Sequence, residues 1–303
     1  MPTSPVRREV RGGKGSEYVP AEGMDMRGTI RFVSSLTAGL MAAVLALFSG
    51  ASAEAAAACG STALAHRGAW SRQVDENTLR SVERAHRFRA WVESDVFLTR
   101  DRGFVVIHNR SLRPTTNCIG YVTNRTLANI QRHCRTTPNR MHIPSAVQLF
   151  STLARNRGQL MNLEVKGPGW YANNNRPLVR LRNAARSTGA LKQVFFSNDT
   201  TYRILTALRD SAPNAKTAWK PDGRERRFNV RNARRLSADA VMARTRQWSS
   251  SPHKVRSFKR AGFRTWGRLA DNKRAWKRNV RLGLGGQLTD RPREYRKWCN
   301  NRG

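Results

Sequence analysis

The sequence predicts a (β/α)8 barrel, the TIM-barrel architecture, with a hairpin and loop inserted after the second strand. Three observations predict it. Short apolar, β-prone runs alternate with amphipathic, helix-like stretches, the pattern of βα units around a parallel sheet. The 250 residues from Glu54 to Gly303 match the usual size of such a barrel, roughly 250 residues. Titratable residues also recur at the ends of several apolar runs, where a barrel assembles its site. A doubly wound open sheet is the competing arrangement of the same units.

In chain order, strands are expected at 63–65, 90–96, 159–165, 193–197, 216–219, 238–242, 263–266 and 286–289. Stretches such as "ENTLRSVERAHRF", "TTYRILTALRDSA" and "PHKVRSFKRAG" supply the helices between them. One further apolar run, 104–107, follows the second strand after only a short "RDRG" turn. A parallel neighbour needs a crossover of a dozen residues or more, so this run is expected to return antiparallel, as a hairpin over the barrel mouth. Residues 101–144 then form a long insertion, with a helix near 124–133.

Ahead of the barrel, residues 32–53 hold 22 uncharged residues centred on "LTAGLMAAVLALF", preceded by Arg27 and Arg31 and closed by Ala51, Ser52 and Ala53. This is the pattern of a secretory signal peptide, so residues 1–53 are read as an N-terminal extension and signal, and 54–303 as the barrel. As an uncleaved anchor the same segment is long enough to cross a bilayer. Translation from Met24 or Met26 would remove the polar stretch that fits no signal. A secreted, extracellular location is expected, with retention at the cell surface as a variant of it.

Formal net charge is +36, carried mostly by 46 arginines, and +34 remains without residues 1–53. Such a surface suits anionic partners, a cell-wall polymer or a lipid surface among them. A bias toward Arg with no partner is the plain alternative. No feature points to a specific nucleic acid, and a monomer is expected.

The chemistry gathers at strand ends. His66 and Arg67 follow the first strand in "LAHRGAW". In "AWVESDVF" a period of two puts Glu93 and Asp95 on one face. Paired carboxylates repel unless a positive charge lies between them, and a hard divalent cation with oxygen ligands, Ca²⁺ or Mg²⁺, answers that need. "MNLEVKG" likewise pairs Glu164, a third carboxylate for the cation, with Lys166, which is placed to reach a phosphate. An inward salt bridge is the structural alternative for each pair. His108 ends the returning run and is expected beside Glu93 and Asp95. Two histidines at one cation site suggest an acid and base pair. Zinc is not expected, because no CxxC or close Cys/His set exists.

In order, "AHRG", "ENT", "ESDVFLTRD", "VVIHN", "MNLEVK" and "LTDRP" resemble the motif series of the glycerophosphodiester phosphodiesterases, over nearly the whole chain after the signal. The resemblance implies a cation-dependent barrel that hydrolyses glycerophosphodiesters, or a related anionic phosphodiester, to glycerol 3-phosphate and an alcohol. It implies His66 and His108 as the acid and base pair, Glu93, Asp95 and Glu164 as metal ligands, and Arg67 and Lys166 as phosphate contacts. Glu76 and Asn77 resemble residues that support the first histidine loop, although helix capping also explains "ENT". Trp266 falls where the family often sets a tryptophan beside the glycerol; a core aromatic is the equal alternative. Three departures stand out: Asn109 where the family usually has Asp, "FRTWGRL" in place of Trp-Thr-Val-Asn, and "FFSND" in place of a Ser-Phe pair.

Four cysteines allow three pairings. Cys59 with Cys299 and Cys118 with Cys134 are expected, since the termini of a closed barrel meet at its bottom and the second pair brackets the insertion. Two other functions remain open at this point: a phospholipase D of the sphingomyelinase D kind on a similar barrel, and a catalytically dead basic barrel that binds cell-wall polymer.

Overall fold

A computed structural model describes residues 59–167, 174–198, 202–211, 213–221 and 228–301. The proposed signal peptide lies outside these residues. No helix among the described residues is long and apolar enough to cross a membrane.

Eight parallel strands close into a barrel: β1 (Thr62–Ala65), β2 (Trp91–Leu98), β4 (Met161–Val165), β5 (Val194–Asn198), β6 (Lys216–Trp219), β7 (Ala240–Arg244), β8 (Arg264–Arg268) and β9 (Gly286–Thr289). Each pairs with the next, and β1 joins both β2 and β9, which leaves no open edge in the ring. β3 (Phe104–Val106) runs antiparallel on β2, with Val96 opposite Val106 and Leu98 opposite Phe104. The expected hairpin is therefore present. The insertion's helix is shorter than expected: a 3₁₀ turn at Val122–Asn124 precedes α2 (Leu127–His133), which Thr126 caps.

Outside the ring lie α1 (Leu79–Arg87), α3 (Ala146–Arg155), α4 (Arg176–Ser187), α5 (Tyr202–Ser211), α6 (Val230–Arg235), α7 (Thr245–Ser249), α8 (Pro252–Arg260), α9 (Lys273–Arg281) and α10 (Pro292–Asn300). Local sequence fixes their starts. Thr78 with Ser81 and Ser145 with Gln148 form reciprocal caps, each satisfying backbone N–H groups that a helix start leaves unpaired. Pro252 and Pro292 occupy the first turn, where a missing N–H costs nothing.

The period of two sorts each strand between the barrel interior and the helix layer. Leu64, Trp91, Phe195, Ala218, Ala240, Met242, Trp266 and Leu288 fill the interior as one buried cluster. At Gly286 there is no room for a side chain, since a Cβ there would stand 2.8 Å from Leu64 and 3.1 Å from Trp266. The residues that continue these inward rows toward the mouth are mostly charged. That change from apolar to ionic along one face positions the site.

Both expected disulfides are formed. Cys59–Cys299 joins the chain just before β1 to the end of α10, and Cys118–Cys134 lies within the insertion. The insertion has a core of its own, in which Phe97, Val105, Leu112, Val122, Ile130 and Ile143 pack with that bridge.

Candidate active site

The loop after β1 brings the first histidine to the mouth. His66 Nδ1 lies 2.8 Å from Asp290 Oδ1, just past β9. Asp290 is itself fixed, because its backbone N–H donates to Asp271 Oδ1 at 2.7 Å. Burial alone would lower the His66 pKa, but the Asp290 hydrogen bond and the charges of Glu93 and Asp290 outweigh it and hold it above the ordinary value. Asp290 is held below its ordinary value against its own burial, chiefly by His66. Gly68 follows with φ of 82°, and a Cβ there would stand 2.2 Å from Ser81 Oγ. Glycine therefore lets the histidine loop close against the first turn of α1.

Glu93, Asp95 and Glu164 converge from β2 and β4. All three are buried, and each offers an oxygen within 4.8 Å of the others. Asp95 stands opposite Glu164 in the β2–β4 register. Asn77 grips Asp95 twice: its Nδ2 donates to Oδ2 at 3.0 Å, and its Oδ1 accepts the Asp95 N–H at 3.1 Å. The Arg67 N–H donates to Glu93 Oε2 at 3.0 Å. Lys166 bonds to Glu164 and lies 3.3 Å from Asp95 Oδ1, while Lys220 bonds to Glu164 and lies 3.9 Å from Glu93 Oε1.

These ammonium groups split the cluster electrically. Burial works to raise Glu164, but Lys220 and then Lys166 hold it well below the usual carboxylate range. Glu93 is instead pushed up to about 7, first by burial and then by the like charge of Asp95. Three converging hard oxygen donors are of the kind a divalent cation takes.

Arg67 reaches Glu76, with Nη1 3.0 Å from both carboxylate oxygens, and its Nε lies 3.8 Å from Asp95 Oδ2. That Nε is buried without a hydrogen-bond acceptor. Lys166 is paired as the structural alternative requires and still belongs to the cation cluster.

His108 arrives on the inserted hairpin. The Ile107 N–H donates to the Asp95 carbonyl at 3.0 Å, which brings the histidine back to the level of the carboxylates. His108 Nδ1 lies 2.9 Å from Asn109 Oδ1. Asp75 ties the insertion to the His66 side: it accepts from Thr136 Oγ at 2.5 Å, Asn139 N at 3.0 Å and Asn139 Nδ2 at 2.6 Å.

One expectation is corrected. Trp266 does not line the mouth; it is 1% exposed and packs edge-on against Trp91 and Phe195, with ring centroids at 6.1 and 5.1 Å. It sits in register with Gly286, one interior layer below the charged groups, and Arg268 takes the next inward position of β8. Three residues went unread. Lys220 continues the inward row of Lys216 and Ala218 in "KTAWK", a signal present in the alternation. Asp290 was visible within "LTDRP" but had no assigned partner. Asp75 carried no signal, because its partners lie more than sixty positions away.

A parallel eight-stranded barrel with buried carboxylates, lysines and two histidines gathered at one end of its strands has the architecture of a barrel enzyme's active site. The model of the Glycerophosphoryl diester phosphodiesterase family matches residues 66–294. The chain belongs to that family and is a phosphoric diester hydrolase. A glycerophosphodiester phosphodiesterase of Caldanaerobacter subterraneus subsp. tengcongensis is 27% identical over 237 residues, 76% of this chain and 93% of the relative. A Bacillus subtilis enzyme of the same description is 41% identical over 70 residues, 23% of this chain and 24% of the relative. Among solved structures, a glycerophosphodiester phosphodiesterase from Parabacteroides distasonis superimposes with a TM-score of 0.69 at 19% identity, covering 80% of this chain and 98% of that one. An Oleispira antarctica phosphodiesterase in complex with the product sn-glycerol-3-phosphate gives 0.65 at 22% identity, over 78% and 95% of the chains. At these identities the two structures speak for the fold.

Proposed function

We propose that this protein is a secreted, cation-dependent phosphodiesterase that hydrolyses glycerophosphodiesters to glycerol 3-phosphate and an alcohol. In this reading His66 and His108 are the acid and base pair, and Glu93, Asp95 and Glu164 hold Ca²⁺ or Mg²⁺. The observation that carries the reading is the His66–Asp290 pair, 2.8 Å long, set at the same barrel mouth as the carboxylate cluster and His108. The presence together of His66, His108, Glu93, Asp95, Glu164 and Lys166 favours turnover over a dead, merely adhesive barrel. The uncharged segment 32–53 and the two disulfides support secretion, since such bridges persist in oxidising compartments.

A bound cation supplies Lewis acidity and charge neutralisation at the phosphoryl oxygens. The rest is done by the chain. Arg67 and Lys166 present fixed positive charge to the phosphate. His108, whose Nδ1 is engaged by a neutral amide, keeps Nε2 as a base and takes the proton of the glycerol hydroxyl next to the phosphate. That oxygen bonds to phosphorus, the bond to the departing alcohol breaks, and the alkoxide takes a proton from the imidazolium of His66. Water then opens the cyclic phosphate with the roles reversed, which returns both histidines to their starting states.

The test is a phosphodiesterase assay on glycerophosphodiesters, with and without chelator, on the wild type and on His66→Ala. Turnover that needs a divalent cation and collapses in the variant is expected. Cation-independent turnover, or turnover that survives the substitution, overturns the assignment.

A further inference from the structure

The insertion that carries His108 has a core and a disulfide of its own, so its docking on the barrel decides where that histidine stands. β3 pairs with β2 and sets the height of His108 along the barrel. A second seam lies farther along the insertion, where residues 136–139 close on the loop between His66 and α1. Asp75 makes that seam. It is 6% exposed, and a buried carboxylate needs donors for its oxygens. The insertion supplies three: Thr136 Oγ and the Asn139 N–H reach Oδ2 at 2.5 and 3.0 Å, and Asn139 Nδ2 reaches Oδ1 at 2.6 Å. On the barrel side Asp75 is held firmly, because its carbonyl accepts from Thr78 Oγ at 2.8 Å and Thr78 caps α1. Its two successors serve the site directly, Glu76 holding Arg67 and Asn77 holding Asp95.

From the seam a chain of contacts leads to His108. Thr136 bridges to Thr116, and the Thr137 N–H donates to the Thr115 carbonyl at 3.0 Å. Thr116 Oγ in turn donates to the Leu112 carbonyl at 2.8 Å, in the stretch that follows His108. Asp75, Glu76 and Asn77 also share one cavity of about 20 Å³ with His108, Thr116 and Thr136, room for about one water molecule. With so little free space, a shift of the Thr136 wall is felt by the histidine.

We propose that Asp75 is a positioning residue for the reaction: by docking Thr136 and Asn139 it sets where His108 stands relative to His66. The inference rests on the phosphodiesterase reading above, in which His108 acts on the substrate. What the seam requires is acceptors rather than charge. In Asp75→Asn the amide oxygen can keep both Oδ2 bonds while the Asn139 amide turns over to meet the new NH₂ group, at the loss of the Asn139 bond to the Arg72 carbonyl. In Asp75→Ala all three bonds are lost.

The experiment measures kcat and KM on glycerophosphocholine for the wild type, Asp75→Ala, Asp75→Asn and Gln193→Ala, and for Asp75→Ala in a His108→Ala background. Gln193 is a comparable brace at the start of β5, away from the mouth, where its Nε2 donates to the carbonyls of Leu153, Asn156 and Gln159 at 2.9, 3.0 and 3.0 Å. Asp75→Ala should lower kcat about ten- to a hundredfold with KM little changed, the scale on which a misplaced reacting group slows a reaction. Asp75→Asn should recover much of that loss. Gln193→Ala should lower the thermal midpoint and leave kcat in place. With His108 already removed, Asp75→Ala should cost nothing further, because residues that act as a unit are not additive. A full further loss in that background, an equal loss of kcat in Gln193→Ala, or an unchanged kcat in Asp75→Ala overturns the proposal. The imidazole NMR signals of His108 in the substrate-free protein read its position without turnover; they should shift in Asp75→Ala and return toward the wild type in Asp75→Asn. Absence of all diesterase activity in the wild type then counts against the proposed function, while His108 signals that do not respond to Asp75→Ala count against the positioning role.

Discussion

His66 and His108 reach the same mouth by different routes and with different support. His66 follows a barrel strand and shares a hydrogen bond with the carboxylate of Asp290, whose place is set by Asp271. His108 rides on an inserted hairpin, and among the described residues its ring meets the amide oxygen of its own neighbour, Asn109. A carboxylate both orients an imidazole and stabilises its protonated form; an amide oxygen orients it without adding charge. The proposed mechanism gives the two side chains opposite roles, and their unlike supports are in keeping with that. The contrast also gives the departure at Asn109 a role, since a carboxylate there would make the two settings alike.

The largest effect should come from deleting either ring. General acid or base help contributes about 10²- to 10⁴-fold, so His66→Ala and His108→Ala should each lower kcat within that range. Because the two act in one proton circuit, the double variant should fall little further than the worse single one. Initial rates at saturating substrate check this. A variant that loses only substrate affinity would remove its histidine from the chemistry and break the comparison.

A sharper version exchanges the supports. Asp290 raises the pKa of His66, so Asp290→Asn should lower it, and the protonated acid is then lost at lower pH. The alkaline limb of the kcat/KM profile should move down. Asn109→Asp places a carboxylate beside His108 and stabilises its imidazolium, so the neutral base appears only at higher pH. The acidic limb should move up. Each substitution narrows the bell from its own side, and the double variant should be narrowest. If Asn109→Asp instead extends the alkaline limb, His108 is the acid and the assignment reverses.

The same contrast marks what the sequence could disclose. Strand spacing and the period of two were enough to place Glu93, Asp95, Glu164 and Lys166, because neighbouring residues of a strand fix one another's direction. They also contained Lys220, had the alternation been followed one residue beyond the expected end of its strand. The hairpin followed from a connection too short for a parallel crossover. Asp290 and Asp75 act through partners brought near by closure of the ring and by the insertion, and no local pattern encodes such a meeting. Trp266 failed for a geometric reason: a motif gives the order of residues along β8, but only the register with Gly286 gives their depth in the barrel.

The smallest expected effect on chemistry separates the two supports by their covalent ties. The cysteines of the insertion are 16 residues apart, and closing a loop of that size contributes ~3 kcal/mol in the chain-entropy model. That stabilisation falls on the small core around Leu112, Val122 and Ile130, which carries the segment holding His108. Cys118→Ser/Cys134→Ser should therefore loosen the insertion first, seen as faster amide exchange over 108–143. A modest loss of kcat should follow, because Asp75 still anchors Thr136 and Asn139. Cys59→Ser/Cys299→Ser cuts the tie between the approach to β1 and α10, away from either histidine's hydrogen bonds. Its thermal midpoint should fall while the pH profile stays in place. Equal exchange in both segments after cutting the Cys118–Cys134 bridge would mean that the insertion and barrel unfold as one unit, and that the two histidines share a support after all.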